Sequence, residues 1–155
     1  MNKEIYKQNI TALRNKYPAW ANIIKNRHKK KNIDVIVEKS VTGDTILKVK
    51  KNGKILYLNG KYAPDEVGKQ WIKKQGKIDA YATIVILGIS NGVHIKQIME
   101  SAPKTCNILI YEPSFELFRR EMEEVDLSFL FAMDIPVGIV IEGLNAVSYT
   151  HLTLP

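Results

Sequence analysis

The side chains best spaced for chemistry lie between Gly88 and Glu112. Gly88, Ile89, Ser90, Asn91 and Gly92 make a glycine-bounded turn at the end of the apolar run Ala82–Ser90, just before a helical stripe of Val93, Ile95, Ile98 and Met99. Glycines let a backbone approach a ligand closely, and the unpaired N–H groups that open a helix attract anions. Glu112 follows Gly88 by 24 residues, about where nucleotide-binding folds set an acid against ribose hydroxyls. Asn91 and His94 would stand at the mouth of the same crevice. Gly88, Ser90, Asn91, Gly92, His94 and Glu112 are therefore the candidate ligand-binding residues, and no catalytic residue is assigned.

Three readings of this turn stay open. A dinucleotide or S-adenosylmethionine site fits the spacing, although Ser90 replaces the second glycine of G-x-G and Ile86 stands where many methyltransferases carry an acid. A Gly-x-Ser-x-Gly elbow would make Ser90 a nucleophile, but the nearest histidine is His94, four residues on along the same helix. In the third reading the glycines only pack a tight strand-to-helix turn. Elsewhere, Cys106 has no neighbouring histidine and reads as a small buried residue. The run Glu121, Glu123, Glu124 and Asp126 lacks metal-loop spacing and reads as a solvated helix face, so no metal site is expected.

The elements that must position these residues follow from periodicity. Tyr6, Ile10, Leu13, Tyr17, Trp20 and Ile24 recur at steps of three and four, one stripe of a helix over about 4–26 that Pro18 bends or divides. Trp20 is read as a core anchor. From Ile33 to Leu58 the period is two, with turns at Thr42–Asp44 and Asn52–Gly53, which predicts an antiparallel meander with a lysine-rich outer face. Pro64, Asp65 and Glu66 open a helix through Trp71 to Gln75, stopped by Gly76. Then come a strand at Thr83–Leu87, expected to be covered on both faces, a helix ending near Pro103, a strand at Asn107–Tyr111, a helix capped by Ser114, and a strand at Ile135–Ile141. Strand, helix, strand, helix, strand is the pattern of a parallel α/β sheet. The fold class is thus α/β: N-terminal helices plus a small antiparallel meander, then an incomplete Rossmann-like parallel sheet with flanking helices.

Charge is divided unevenly. Residues 1–77 carry 19 Lys and Arg against 6 Asp and Glu, whereas residues 78–155 carry 4 against 10. The densest basic cluster, Lys25, Arg27, His28, Lys29, Lys30 and Lys31, lacks the interleaved aromatics of a single-strand binder, so it reads as a solvated linker and not as a nucleic-acid surface. The apolar runs are too short to span a bilayer and the N-terminus has no signal-peptide core. One cysteine excludes an internal disulfide framework. A cytoplasmic protein with no membrane partner is expected.

The last nine residues, Val147–Pro155, can be back-translated as GTC TCT TAT ACA CAT CTG ACG CTG CCG, a string that looks like sequencing adapter read in one open frame. They are set aside from fold reasoning, His151 and Tyr149 included. The expected organisation is a helical and meander region at 1–77, a truncated Rossmann-like unit at 78–146 and an adapter-derived artefact at 147–155.

The order of segments resembles the N-terminal region of the motility-associated factor (Maf) family of bacterial flagellin glycosyltransferases. The matching pieces are Asn9–Pro18, Tyr62–Pro64 with Glu66 and Trp71, Ile84–Gly88 through Gly92–Ile95, Ile108–Pro113, and Val125–Ser128. Ser90 departs from the glycine expected in that turn. The resemblance implies an enzyme that transfers a nonulosonic acid, such as pseudaminic or legionaminic acid, from a CMP-activated donor to Ser or Thr of flagellin. It also implies that the donor-binding and catalytic segment lies after residue 146, so this chain would hold no cofactor and would be inactive alone. The alternatives are a small Rossmann-like, S-adenosylmethionine-dependent methyltransferase-like enzyme, and a module that presents the basic half to an acidic partner.

Overall fold

The computed structural model describes residues 1–27, 33–132 and 135–144. Most of the basic cluster, His28–Lys31, and the Val147–Pro155 tail lie outside the described residues.

The predicted N-terminal stripe becomes two helices, α1 at Lys3–Lys16 and α2 at Pro18–Asn26. Pro18 is the first residue of α2, where its missing N–H is no loss. Asn2 caps α1, its Oδ1 accepting from the Glu4 and Ile5 N–H groups at 3.2 Å. Trp20 is only 4% exposed and stacks on Tyr17 with ring centroids 4.5 Å apart, as a core anchor should.

Three antiparallel strands follow, β1 Asp34–Lys39, β2 Thr45–Lys51 and β3 Lys54–Tyr57, in that spatial order. Val35 faces Val49 and Val37 faces Leu47, so the period of two selects one buried face. Asn52 and Gly53 both take positive φ, 51° and 73°, the geometry a two-residue hairpin turn requires.

Helix α3, Pro64–Gln75, leads to the parallel sheet: β4 Thr83–Leu87, α4 Val93–Ser101, β5 Asn107–Glu112, α5 Phe115–Glu124, a 3₁₀ turn at Ser128–Phe131, and β6 Val137–Ile141. β5 lies in the middle, with Ile86 opposite Ile110 and Ile110 opposite Ile139. β6 starts two residues later than the apolar run, after Pro136, which has no N–H for a ladder. Ser114 caps α5 through its Oγ, which accepts from the Leu117 N–H.

One apolar core joins the two halves. Ile10, Leu13 and Trp20 from the helices and Leu47 from the meander cluster with Ile86, Ile110, Phe118 and Met122. Cys106 is buried, as expected. Two expectations need correction. β4 is covered on one face only: Ile86 is buried, whereas Val85 and Leu87 are 58% and 77% exposed. A continuous apolar run cannot report which face finds a partner. The run from Glu121 is solvated only in part: Asp126 is exposed and Glu124 half-buried, whereas Glu121 and Glu123 are buried together with Arg119. Helix α5 packs against α1 and β1, and some of its buried polar atoms meet specific partners. Arg119, for example, donates to the carbonyls of Ile24 and Arg27 at 2.6 and 2.5 Å, occupying acceptors at the end of α2.

Among the described residues no helix is long and apolar enough to cross a membrane.

Candidate functional site

Parallel strands leave their side chains and loops converging at the carboxyl ends, and the glycine turn lies at that end of β4. Gly88 continues the ladder by donating to the Tyr111 carbonyl at 2.8 Å, then turns away with φ 83°. Ser90 also takes positive φ, 55°, which is unusual for a residue with a side chain. The surrounding contacts hold it there. The Ser90 N–H donates to Glu121 Oε1 at 2.8 Å, and its hydroxyl donates to Asn59 Oδ1 at 2.8 Å. Asn59, just beyond β3, also donates to Asn91 Oδ1 at 2.8 Å, and Asn91 donates to the Thr45 carbonyl at 3.1 Å. The turn is therefore bolted to the meander by an Asn59–Ser90–Asn91 network.

Glu112 ends β5 beneath the same turn. Its Oε2 accepts from the Ile89 N–H at 3.0 Å and its Oε1 from the Ser114 N–H at 3.2 Å. Glu112 and Glu121 are both 0% exposed. Burial pushes the Glu112 carboxyl up, partly offset by the Ile89 and Ser114 N–H groups. Burial, followed by the nearby Glu112 charge, pushes Glu121 well above the usual carboxylate range against the opposing Ser90 N–H. His94 Nε2 lies 3.2 Å from the Gly88 carbonyl, and burial holds its imidazole below the ordinary value.

Around these groups is a crevice of about 690 Å³ between the turn, α3 and the β3–α3 connection. It is lined by all the predicted residues except Gly92, and also by Asn59, Trp71 and Glu121. Gly92 sits behind it, against Leu127 and Phe129. Two properties set its chemistry. The Ile89 and Ser90 N–H groups already hold carboxyl oxygens and the Val93 N–H holds Asn91 Oδ1, so these three donors of the turn and helix opening are engaged. In addition, Ser90 has Asn59 as acceptor and His94 has the Gly88 carbonyl, so the pair a serine nucleophile needs is not formed.

Periodicity missed Glu121, Asn59 and Trp71 as members of the site. The spacing Leu117–Glu121 was the available signal for the first, because residues four apart share a helix face and Leu117 is itself buried.

This arrangement of helices, meander and parallel sheet has a solved counterpart. The chain is similar to the structure of a Maf glycosyltransferase from Magnetospirillum magneticum AMB-1, with a TM-score of 0.61 and 16% identity. The fold is Maf-like. The match covers 92% of this chain but only 28% of that protein. No family model and no curated protein matches the chain.

The buried pair makes a pH prediction. A carboxyl whose folded value is raised contributes stability below its unfolded value, and that contribution is lost as pH rises through the folded one. The buried Glu121 carboxyl therefore costs stability as pH rises above the ordinary carboxylate range. Glu121→Gln keeps an acceptor for the Ser90 N–H and removes the charge. It is expected to stabilise the chain by about 1–3 kcal/mol at pH 8, with the gain fading towards pH 4. Urea unfolding at several pH values measures this; a variant less stable than wild type at pH 8 would contradict it.

Proposed function

We propose that the chain forms the N-terminal α/β part of a glycosyltransferase that moves a nonulosonic acid from a CMP-activated donor to Ser or Thr of flagellin in the cytoplasm. The observation that carries this reading is the likeness to the Maf glycosyltransferase over 92% of the chain, falling on 28% of a longer protein. The ordered segments Ile84–Gly88, Gly92–Ile95 and Ile108–Pro113, read from the sequence as Maf-like, support it as successive strand, helix and strand units of one sheet. The crevice supports placing the donor elsewhere. Among the described residues no Lys or Arg lines it, and the Ile89 and Ser90 N–H groups are engaged by carboxyl groups, so it offers a donor phosphate no cationic side chain. In this reading the chain is a scaffold, and transfer needs the remainder of a longer enzyme.

The test is a transfer assay. The uninterrupted reading frame and the 155-residue chain are each incubated with CMP-activated pseudaminic or legionaminic acid and flagellin, and the flagellin mass is followed. The long protein should add one sugar mass per site and the 155-residue chain none. A stop codon soon after Ile141 in the native frame, or transfer by the short chain alone, would overturn the proposal.

A further inference from the structure

The crevice has a charge balance that the glycosyltransferase reading does not use. Among the described residues its only formally charged lining side chains are Glu112 and Glu121, both fully buried. Three of the four carboxylate oxygens accept backbone N–H groups. The fourth, Glu121 Oε2, is buried without a hydrogen-bond partner among the described residues. A buried carboxylate oxygen without a donor is costly, and two such carboxylates in one apolar cavity repel each other. His94 cannot relieve them, because burial favours its neutral form and its Nε2 faces the Gly88 carbonyl.

We propose that the crevice binds an organic cation, a primary ammonium or guanidinium group carried on an apolar stem. The head group supplies the N–H donor and the positive charge that the carboxylate pair lacks. The stem has matching walls in Leu58, Pro64, Val67 and Trp71, and the half-exposed indole of Trp71 offers a face to a cation or its methylenes. An anion is disfavoured because two carboxyl groups line the crevice and already hold the Ile89 and Ser90 N–H groups. Calcium or magnesium needs about six or more oxygen ligands and zinc about four, and no cluster of three metal-binding side chains occurs among the described residues. The cation could belong to a free amine or to a lysine or arginine side chain, since the head-group chemistry is shared.

The test uses the 155-residue chain and follows the Ser90 backbone N–H, at the crevice wall, by NMR. The probes are n-butylammonium, butylguanidinium, the neutral alcohol 1-pentanol, and N-acetyl-lysine methylamide. The cations should shift the signal saturably with Kd on the order of 1 mM, and 1-pentanol should not. Binding displaces protons from the pair, so affinity should rise by up to about tenfold per pH unit until the carboxyls ionise. Glu121→Gln, which should fold at least as well as wild type, should reduce the pH dependence to what Glu112 alone supplies and weaken binding about tenfold or more. Trp71→Ala, at an exposed position, should weaken it about threefold to tenfold. Saturation by the lysine derivative but not the simple amines assigns the source to a polypeptide, and the reverse assigns it to a free amine. Equal binding of 1-pentanol, no saturation by any cation, or pH-independent binding in wild type overturns the proposal. None of these outcomes depends on sugar transfer, so failure here leaves the glycosyltransferase reading standing.

Discussion

Asn9→Ala is expected to destabilise the chain by about 3–6 kcal/mol, from three buried hydrogen bonds lost at about 1–2 kcal/mol each. Asn9 is completely buried in α1. Its Nδ2 donates to the carbonyls of Met122 at 2.9 Å and Val125 at 2.6 Å, and its Oδ1 accepts from the Leu127 N–H at 2.9 Å. The last carbonyls of a helix have no partners within it, and the end of α5 is buried against α1, away from water. One amide side chain thus satisfies both acceptors and the donor that follows. Alanine would leave all three orphaned. Asn9→Asp tests the account further, because it keeps the size, loses both donors and adds a buried charge; it should be at least as damaging. Because folded domains are stable by only about 5–15 kcal/mol, either change should move the urea midpoint far or leave the chain unfolded. A loss under about 1 kcal/mol in Asn9→Ala would mean that water reaches these groups.

Gly92→Ala should cost about 2–5 kcal/mol. Gly92 caps α4 with φ 73°, a conformation that costs a residue with a side chain about 1–2 kcal/mol. The added methyl would also stand 3.0 Å from Leu127 Cδ2 and 3.1 Å from the Phe129 ring, contacts tight enough to force repacking at about 1–3 kcal/mol. Gly43→Ala separates the two contributions, since Gly43 has φ 91° but open space around it. It should show the backbone cost alone. If both variants lose the same stability, the packing against Leu127 and Phe129 contributes nothing. Gly92→Ala should also disturb the crevice, because Gly92 joins α4 to the Ser90–Asn91 segment held by Asn59.

Both predictions concern residues whose meaning was only half visible in the sequence. Gly92 could be read as a turn glycine from its place between strand and helix, but its tight contacts come from Leu127 and Phe129, more than thirty residues away. Asn9 could be seen only as part of a segment resembling the Maf family. A buried polar residue in a helix looks like any exposed one until its partners are known, because the 3.6-residue period sorts apolar side chains and not satisfied polar ones.

Local chemistry was enough for much of the rest. Pro18 divides the N-terminal helices because it lacks an N–H. Asn52–Gly53 makes the hairpin because both residues tolerate positive φ. Ser114 caps α5, and alternating apolar strands and helices imply a parallel sheet. The first three outcomes depend on interactions within a few residues, and the parallel order follows from the repeated alternation of strand and helix, so the sequence by itself determined them. Tertiary structure decided what occupies the glycine turn. The sequence offered free helix-opening N–H groups and an acid at Glu112 that could reach a ligand. The fold instead brings Glu112 and Glu121 onto the turn's own N–H groups and ties Ser90 to Asn59. Those contacts join positions 23 to 31 residues apart in the chain, and no periodicity encodes them. They turn an apparent anion site into an acidic crevice, because a donor already paired in a buried site has nothing left to offer a ligand.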